Sequence, residues 1–239
     1  MTGPAFGWVA AWLVWAAFSS HGHAAAADIN PAMGCGQMEE IANRDGSRLR
    51  LHVTCGPSGE IRTRVTRAAP GDDAFHLVLD DPQAESDSAG TLVRRVAFTD
   101  VDEDGFHDVE VIGTCGAGPN CLATIYRLEP SSGRFYTFFS GGYADLWIMD
   151  GHVVEAGRAS CCAWEYHAWP IQPGPPLRVS DRMAFRAVVS VDGEHDGVDC
   201  RFLQRMPDGE EALMLPPDDA WLKICEHYGD AYRLADPGA

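Results

Sequence analysis

The chain is short of positive charge, with 18 Lys and Arg against 35 Asp and Glu and a formal net charge of −17. That deficit argues against nucleic acid and anionic membranes as partners, because phosphates must be met by Lys and Arg. It fits a basic protein partner, divalent cations, or solubility alone. Also missing is a second long apolar run after Ala5–Phe18, so no integral membrane segment is expected downstream. No C-x-x-C pair occurs among the eight cysteines, which argues against a thiolate zinc site. Nor is there a G-x-S-x-G, an H-E-x-x-H or a phosphate-cradling glycine loop, and no enzyme activity is expected.

Residues 1–27 read as a signal peptide. Ala5–Phe18 is apolar and uncharged, and Ala24–Ala27 offers A-x-A-like cleavage sites. The stretch is shorter than the roughly 20 residues a spanning helix needs. A buried N-terminal helix is the alternative, although the Trp-rich run lacks a polar face. Cys35 lies too far past the apolar core for a lipid-acceptor cysteine, so a lipoprotein is not expected. Periplasmic or secreted residence follows, with residues 28–239 as a single β-rich domain. Eight cysteines in an exported chain point to disulfides. Proximity suggests Cys35 with Cys55, Cys115 with Cys121, and Cys200 with Cys225. Cys161 and Cys162 are then left adjacent, where a bridge is strained. Eight cysteines allow 105 pairings, so one of the suggested pairs can be wrong.

Alternating apolar and polar residues, punctuated by Gly and Pro, mark strands at 48–55, 60–67, 74–79, 91–99, 109–113, 122–128 and 134–139. The series continues at 147–149, 152–155, 163–171, 184–191, 199–206 and 212–215. The fold class is all-β: an antiparallel propeller-like or sandwich-like meander. One short C-terminal helix is expected, capped by Asp218 or Asp219, with Trp221, Leu222, Ile224 and Cys225 as its apolar stripe. Asp80–Gly90 reads as a loop. Gln172–Pro176 reads as a linker, so 177–239 is a candidate subdomain.

The strongest local signal is Asp100–Asp108, with acids at Asp100, Asp102, Asp104 and Asp108 and a turn-permitting Gly105. Carboxylates at loop positions 1, 3, 5 and 9, with the Phe106 carbonyl at position 7, supply oxygens of the kind calcium takes. Position 12 is Val111 rather than Glu, and strands flank the loop, so it is no EF-hand. Ca2+ is the expected cofactor, and an uncoordinated acidic turn is the alternative. His107, at position 8, is expected to face solvent. Asp192–Asp199 imitates the pattern with its last acid one place early, which reads better as a solvated hairpin turn than as a second metal site. Glu165 and His167 share one face of a strand, the nearest approach to an acid/base pair, with Trp164 and Tyr166 on the other. Trp147, Trp164 and Trp169 could stack a sugar, although core packing is the commoner fate.

The D-x-[DN]-x-D-G-x-x-D loop between strands resembles the FG-GAP-like calcium-loop family. Phe98–Asp100, Val109–Gly118, Ile125–Tyr126, Gly133–Phe135 and Val153–Pro170 resemble one branch of it, over roughly Ala74–Ile171. That branch comprises small periplasmic proteins, including type IV secretion immunity proteins that neutralise peptidoglycan hydrolases and resemble inhibitors of invertebrate-type lysozyme. The resemblance implies a propeller-like fold, calcium on Asp100, Asp102, Asp104, Phe106 and Asp108, and a basic lysozyme-like hydrolase as partner. It also implies that Ser140, Gly141 and Tyr143 form a loop inserted into the hydrolase cleft. An ordinary hairpin turn is the other reading of those residues. The function expected is inhibition or immunity by protein binding, the alternative being a structural or adhesive calcium module.

Overall fold

A computed structural model describes residues 35–56, 61–83, 95–192 and 197–238. The expected signal peptide, most of the 80–90 loop and the centre of the 192–199 turn lie outside these residues. Three antiparallel meanders organise the rest. The first sheet runs β1 (Met38–Ala42), β2 (Arg48–Cys55), β3 (Ile61–Ala68) and β4 (His76–Gln83) in sequence order. The second runs β5 (Arg95–Thr99), β6 (Asp108–Cys115), β7 (Cys121–Glu129) and β8 (Arg134–Tyr143). The third contains β9 (Asp145–Met149), β10 (His152–Ser160), β11 (Ala163–Gln172), β13 (Phe185–Asp192), β14 (Gly197–Arg205) and β15 (Glu211–Met214). The two-residue β12 (Arg178–Val179) pairs with β11, and β16 (Tyr232–Leu234) joins β14 in parallel. No closed barrel forms among the described residues, and the architecture is all-β and sandwich-like.

Period-two alternation sorts the side chains into layers. Leu49, Leu51, Val53 and Val65 of the first sheet meet Val96, Val109, Val111 and Leu128 of the second. From its opposite face, the second sheet sends Ala123, Ile125, Phe138, Phe139 and Tyr143 against Val153 and Trp169 of the third. The third sheet's outer face, with Val154, Tyr166, Ala187 and Phe202, is covered by a 3₁₀ helix over Asp219–Tyr228. Asp218 caps that helix through its carboxylate, which accepts from Ala220 N at 2.8 Å. Trp221, Ile224 and Cys225 are the helix residues buried against the sheet.

Three disulfides form: Cys35–Cys55 and Cys115–Cys121 within the first and second sheets, and Cys200–Cys225 between the third sheet and the helix. The Cys35 sulfur is therefore committed to a bridge. Residues 177–239, read above as a candidate subdomain, contribute β13, β14 and β15 to the sheet that holds β9–β11. Three short strands had no signal of their own. β1 is a polar, largely exposed edge (MEEIA), and β12 and β16 hold two and three residues. A larger difference concerns β8, which the alternation ends at Phe139 but which continues through Tyr143. Among the described residues, no helix is long and apolar enough to cross a membrane. The disulfides fit an exported protein.

Candidate metal centre and its surroundings

The acidic loop joins β5 to β6 and is coiled by its own carboxylates. Asp100 accepts from Asp104 N at 3.0 Å and from Gly105 N at 2.9 Å, and Asp104 accepts from Phe106 N at 2.8 Å. Glu103 and Gly105 take positive φ, 54° and 79°. A Cβ on Gly105 would also meet Arg44 Cδ at 2.8 Å, so this turn needs glycine twice over. The coil brings one carboxylate oxygen each from Asp100, Asp102 and Asp104 within 4.8 Å of one another.

Asp108 is placed differently. It is almost fully buried, and its two oxygens accept from Leu128 N at 2.9 Å and Val101 N at 3.4 Å. It ties the loop to β7 and stands outside the three-oxygen cluster. Burial above all, then the charge of Asp102, pushes its pKa up to about 7, against the Leu128 N–H and Arg127. Burial likewise raises Asp104, with Asp102 and Asp100 adding to it. The Phe106 ring is buried between the first two sheets, with the Arg44 guanidinium 4.7 Å from its centroid.

Two residues at the site were missed by sequence reasoning. Arg127 of β7 is buried and donates to both Asp102 and Asp104, the latter at 3.0 Å. The signal lay in Ile125–Leu128, where a guanidinium interrupts an apolar run and so requires a buried anion. Asn43, in the β1–β2 turn, accepts from His107 N at 2.8 Å, while Arg44 N donates to Gly105 O. His107, expected to face solvent, is half-buried instead. Its Nδ1 lies 3.1 Å from Asn43 Oδ1, and its ring packs edge-on to Phe98. The loop is thus clamped between the first sheet and β7.

The residues present suit a hard divalent cation. Asp102 Oδ1 is buried and has no hydrogen-bond partner, although its other oxygen is bound by Arg127. A buried carboxylate oxygen left unpaired is costly, and a metal would satisfy it. Asp100, Asp102 and Asp104 would hold such an ion, which would act as a structural brace and not as a reagent. The second acidic turn differs: Asp199 is engaged by Arg233 of β16 at 2.8 and 3.0 Å.

Ser140–Tyr143 is not a protruding loop. These residues are the last four of β8, paired with Cys121–Thr124 of β7. Tyr143 is buried, and its hydroxyl donates to Glu110 at 3.1 Å. Gly141 serves packing between sheets. A Cβ on Gly141 would lie 2.6 Å from Glu155 Oε1, and Gly142 N donates to the same oxygen at 2.9 Å. Glu155 of β10 is the hub of a polar network. Its Oε2 accepts from Trp169 Nε1 at 3.0 Å and lies 3.4 Å from His167 Nδ1. His167 in turn is 3.4 Å from Glu165, which Arg186 binds at 2.7 Å. Burial works to raise Glu155, but His167, Gly142 N and Trp169 outweigh it and hold the acid low. Glu155 does the reverse to His167, raising it.

Glu165 and His167 do share a face, as alternation requires, and that face looks toward the second sheet. The three tryptophans form no common platform. Trp147 and Trp164 pack on the helix side of the third sheet, and Trp169 packs on the opposite side beside Phe139.

No family model matches the chain, and no curated protein matches it. Among solved structures, it is similar to one described as a Xanthomonas type IV secretion system related protein, at 13% identity and a TM-score of 0.43. The match covers 74% of this chain and 93% of that one. A score this low transfers neither fold nor function.

Proposed function

We propose that the chain is an exported protein that acts by binding another protein, braced by a calcium ion on Asp100, Asp102 and Asp104. The observation that carries the calcium reading is the orphaned Asp102 Oδ1, buried among acidic oxygens within 4.8 Å of one another. The ion would tie together β5, β6 and, through Arg127 and Asn43, their neighbours in β7 and the first sheet. Such a position stiffens a scaffold and leaves the surface to do the recognition.

The partner class that fits the charge of −17 is a basic protein. A peptidoglycan hydrolase of lysozyme type is the reading we carry forward, with the chain as its inhibitor or immunity protein. It draws on the acidity and on the motif resemblance. It takes nothing from Ser140–Tyr143, whose tyrosine is buried in a strand. The second reading is a calcium-stabilised structural or adhesive module, which the interlocked position of the loop favours.

Calorimetric titration of the exported chain with calcium, paired with wall lysis by several basic lysozymes with and without the chain, separates the two. Heat of binding with suppressed lysis supports the inhibitor. Heat of binding with unaffected lysis supports the structural module. Absence of any calcium heat refutes the metal centre.

A further inference from the structure

The β10–β11 hairpin carries two adjacent cysteines at its tip. Six of the eight cysteines are joined in pairs, leaving Cys161 and Cys162 as the free thiols, both exposed. Their sulfurs are 2.7 Å apart, closer than unbonded sulfurs normally rest. The tip is held in this arrangement from several sides. Arg158 Nε donates to Ser160 O at 2.9 Å, and its Nη2 donates to Cys161 O at 3.0 Å. Val191 N donates to Cys162 O at 2.9 Å, and Cys162 N donates to Ser160 Oγ at 3.3 Å. Asn120 fixes Arg158 in turn, accepting from its N and donating to its O. A register shift between Arg158 and Ser160 accommodates the tight turn.

We infer that Cys161 and Cys162 form a thiol–disulfide exchange site, a vicinal dithiol that closes to a fourth, readily reopened disulfide when it meets a protein disulfide. Two conditions set by the fold lead there. Every other cysteine already has a partner, so no internal thiol competes for either sulfur. The pair is also exposed, so an exchange partner can reach it. A bond between neighbouring cysteines closes an eight-membered ring that includes the Cys161–Cys162 peptide unit, which otherwise prefers a planar trans form. The closed ring is therefore strained and easier to reduce than a relaxed bridge.

The chemistry balances as two exchanges. One thiolate attacks an external disulfide, forming a mixed disulfide and releasing one external thiolate. The neighbouring cysteine then attacks the mixed disulfide, closing the Cys161–Cys162 bond and releasing the second. Two S–H bonds are lost, their protons go to the two departing thiolates, and both electrons pass to the external disulfide. The inference is independent of the calcium reading.

Mass mapping tests it on the full exported chain, with glutathione disulfide as the probe and N-ethylmaleimide as the trap. After incubation with the probe, the 161–162 peptide should take no maleimide. Brief mild reduction should then restore two labels there while the other six cysteines take none. A Cys161→Ser chain, unable to close, should retain one glutathione on Cys162 that the native chain sheds. Two labels on the peptide after incubation with the probe would overturn the inference. So would a persistent glutathione adduct on the native chain, or reduction of another bridge before this one.

Discussion

Asp108 gives the candidate metal centre a pH signature that can be worked out from its surroundings. Without an ion, its carboxyl is moved from 3.8 up to about 7, chiefly by burial. The native state then holds a proton that the unfolded chain gives up near pH 4. Stability is therefore full below pH 4 and falls as the pH rises toward 7, opposite to the usual carboxylate behaviour. A shift of this size is worth at most about 4 kcal/mol, of which about 2 kcal/mol falls between pH 5 and 7. A dication at Asp100, Asp102 and Asp104 would draw Asp108 back into its ionised range and flatten the slope. Urea denaturation in calcium-stripped buffer at pH 5 and pH 7, for the native chain and Asp108→Asn, isolates the effect. The native chain should lose about 2 kcal/mol more than the variant over that interval. Saturating calcium should remove the difference and, at a hundredfold excess over its Kd, add about 2.7 kcal/mol at pH 7. Equal slopes for the two stripped chains would refute the account of Asp108, and an unchanged midpoint in calcium would refute the ion.

Arg127→Met leaves the half-buried carboxylates of Asp102 and Asp104 without their guanidinium. It should cost about 3–5 kcal/mol without calcium, with most of the loss recovered in calcium, as read by thermal melting in both buffers. Gly141→Ala puts a Cβ against Glu155 and Phe139 and should destabilise by about 1–3 kcal/mol. The neighbouring Gly142→Ala, whose nearest contact is Leu122 at 3.7 Å, should be far milder in the same melts. Glu155→Gln removes the main group that raises His167. The His167 contribution is present below its ordinary range near pH 6.5 and is lost as pH rises through the raised value. The variant should shift the His167 ring titration downward by NMR and weaken that loss.

The legible part of the fold was the part governed by alternation. The strand Arg48–Cys55 buries every second side chain at Leu49, Leu51 and Val53, so composition and geometry say the same thing. β1 escaped notice because an exposed edge strand buries little and needs no apolar period. Ser140–Tyr143 misled for a related reason. Two glycines normally announce a turn, yet here Gly141 is small because Glu155, 14 residues further along the chain, presses a carboxylate oxygen into the space a Cβ would fill. No local pattern encodes that contact. The acidic loop itself was legible in Asp100, Asp102, Asp104 and Gly105. Asp108 matched the motif by spacing but is spent on the backbone of Val101 and Leu128.

Arg127 changes the physics of that loop more than any other residue. From sequence alone, four clustered acids have nothing to neutralise them but an ion. In the fold, one of the four sits apart and is readily protonated, and a buried guanidinium is shared by two others. The loop can therefore form before any metal arrives, and binding need not be coupled to folding. Three ionised carboxylates beside one guanidinium still leave two negative charges. A divalent ion would cancel these two, leaving only the charge Asp108 takes up as the ion draws off its proton, whereas a monovalent one would leave the site more strongly charged where unpaired charge is expensive. The same guanidinium would limit how tightly such an ion could be held, since it repels what the carboxylates attract. Under the calcium reading proposed above, this balance of charges predicts a brace of moderate affinity that chelation would empty without unfolding the chain.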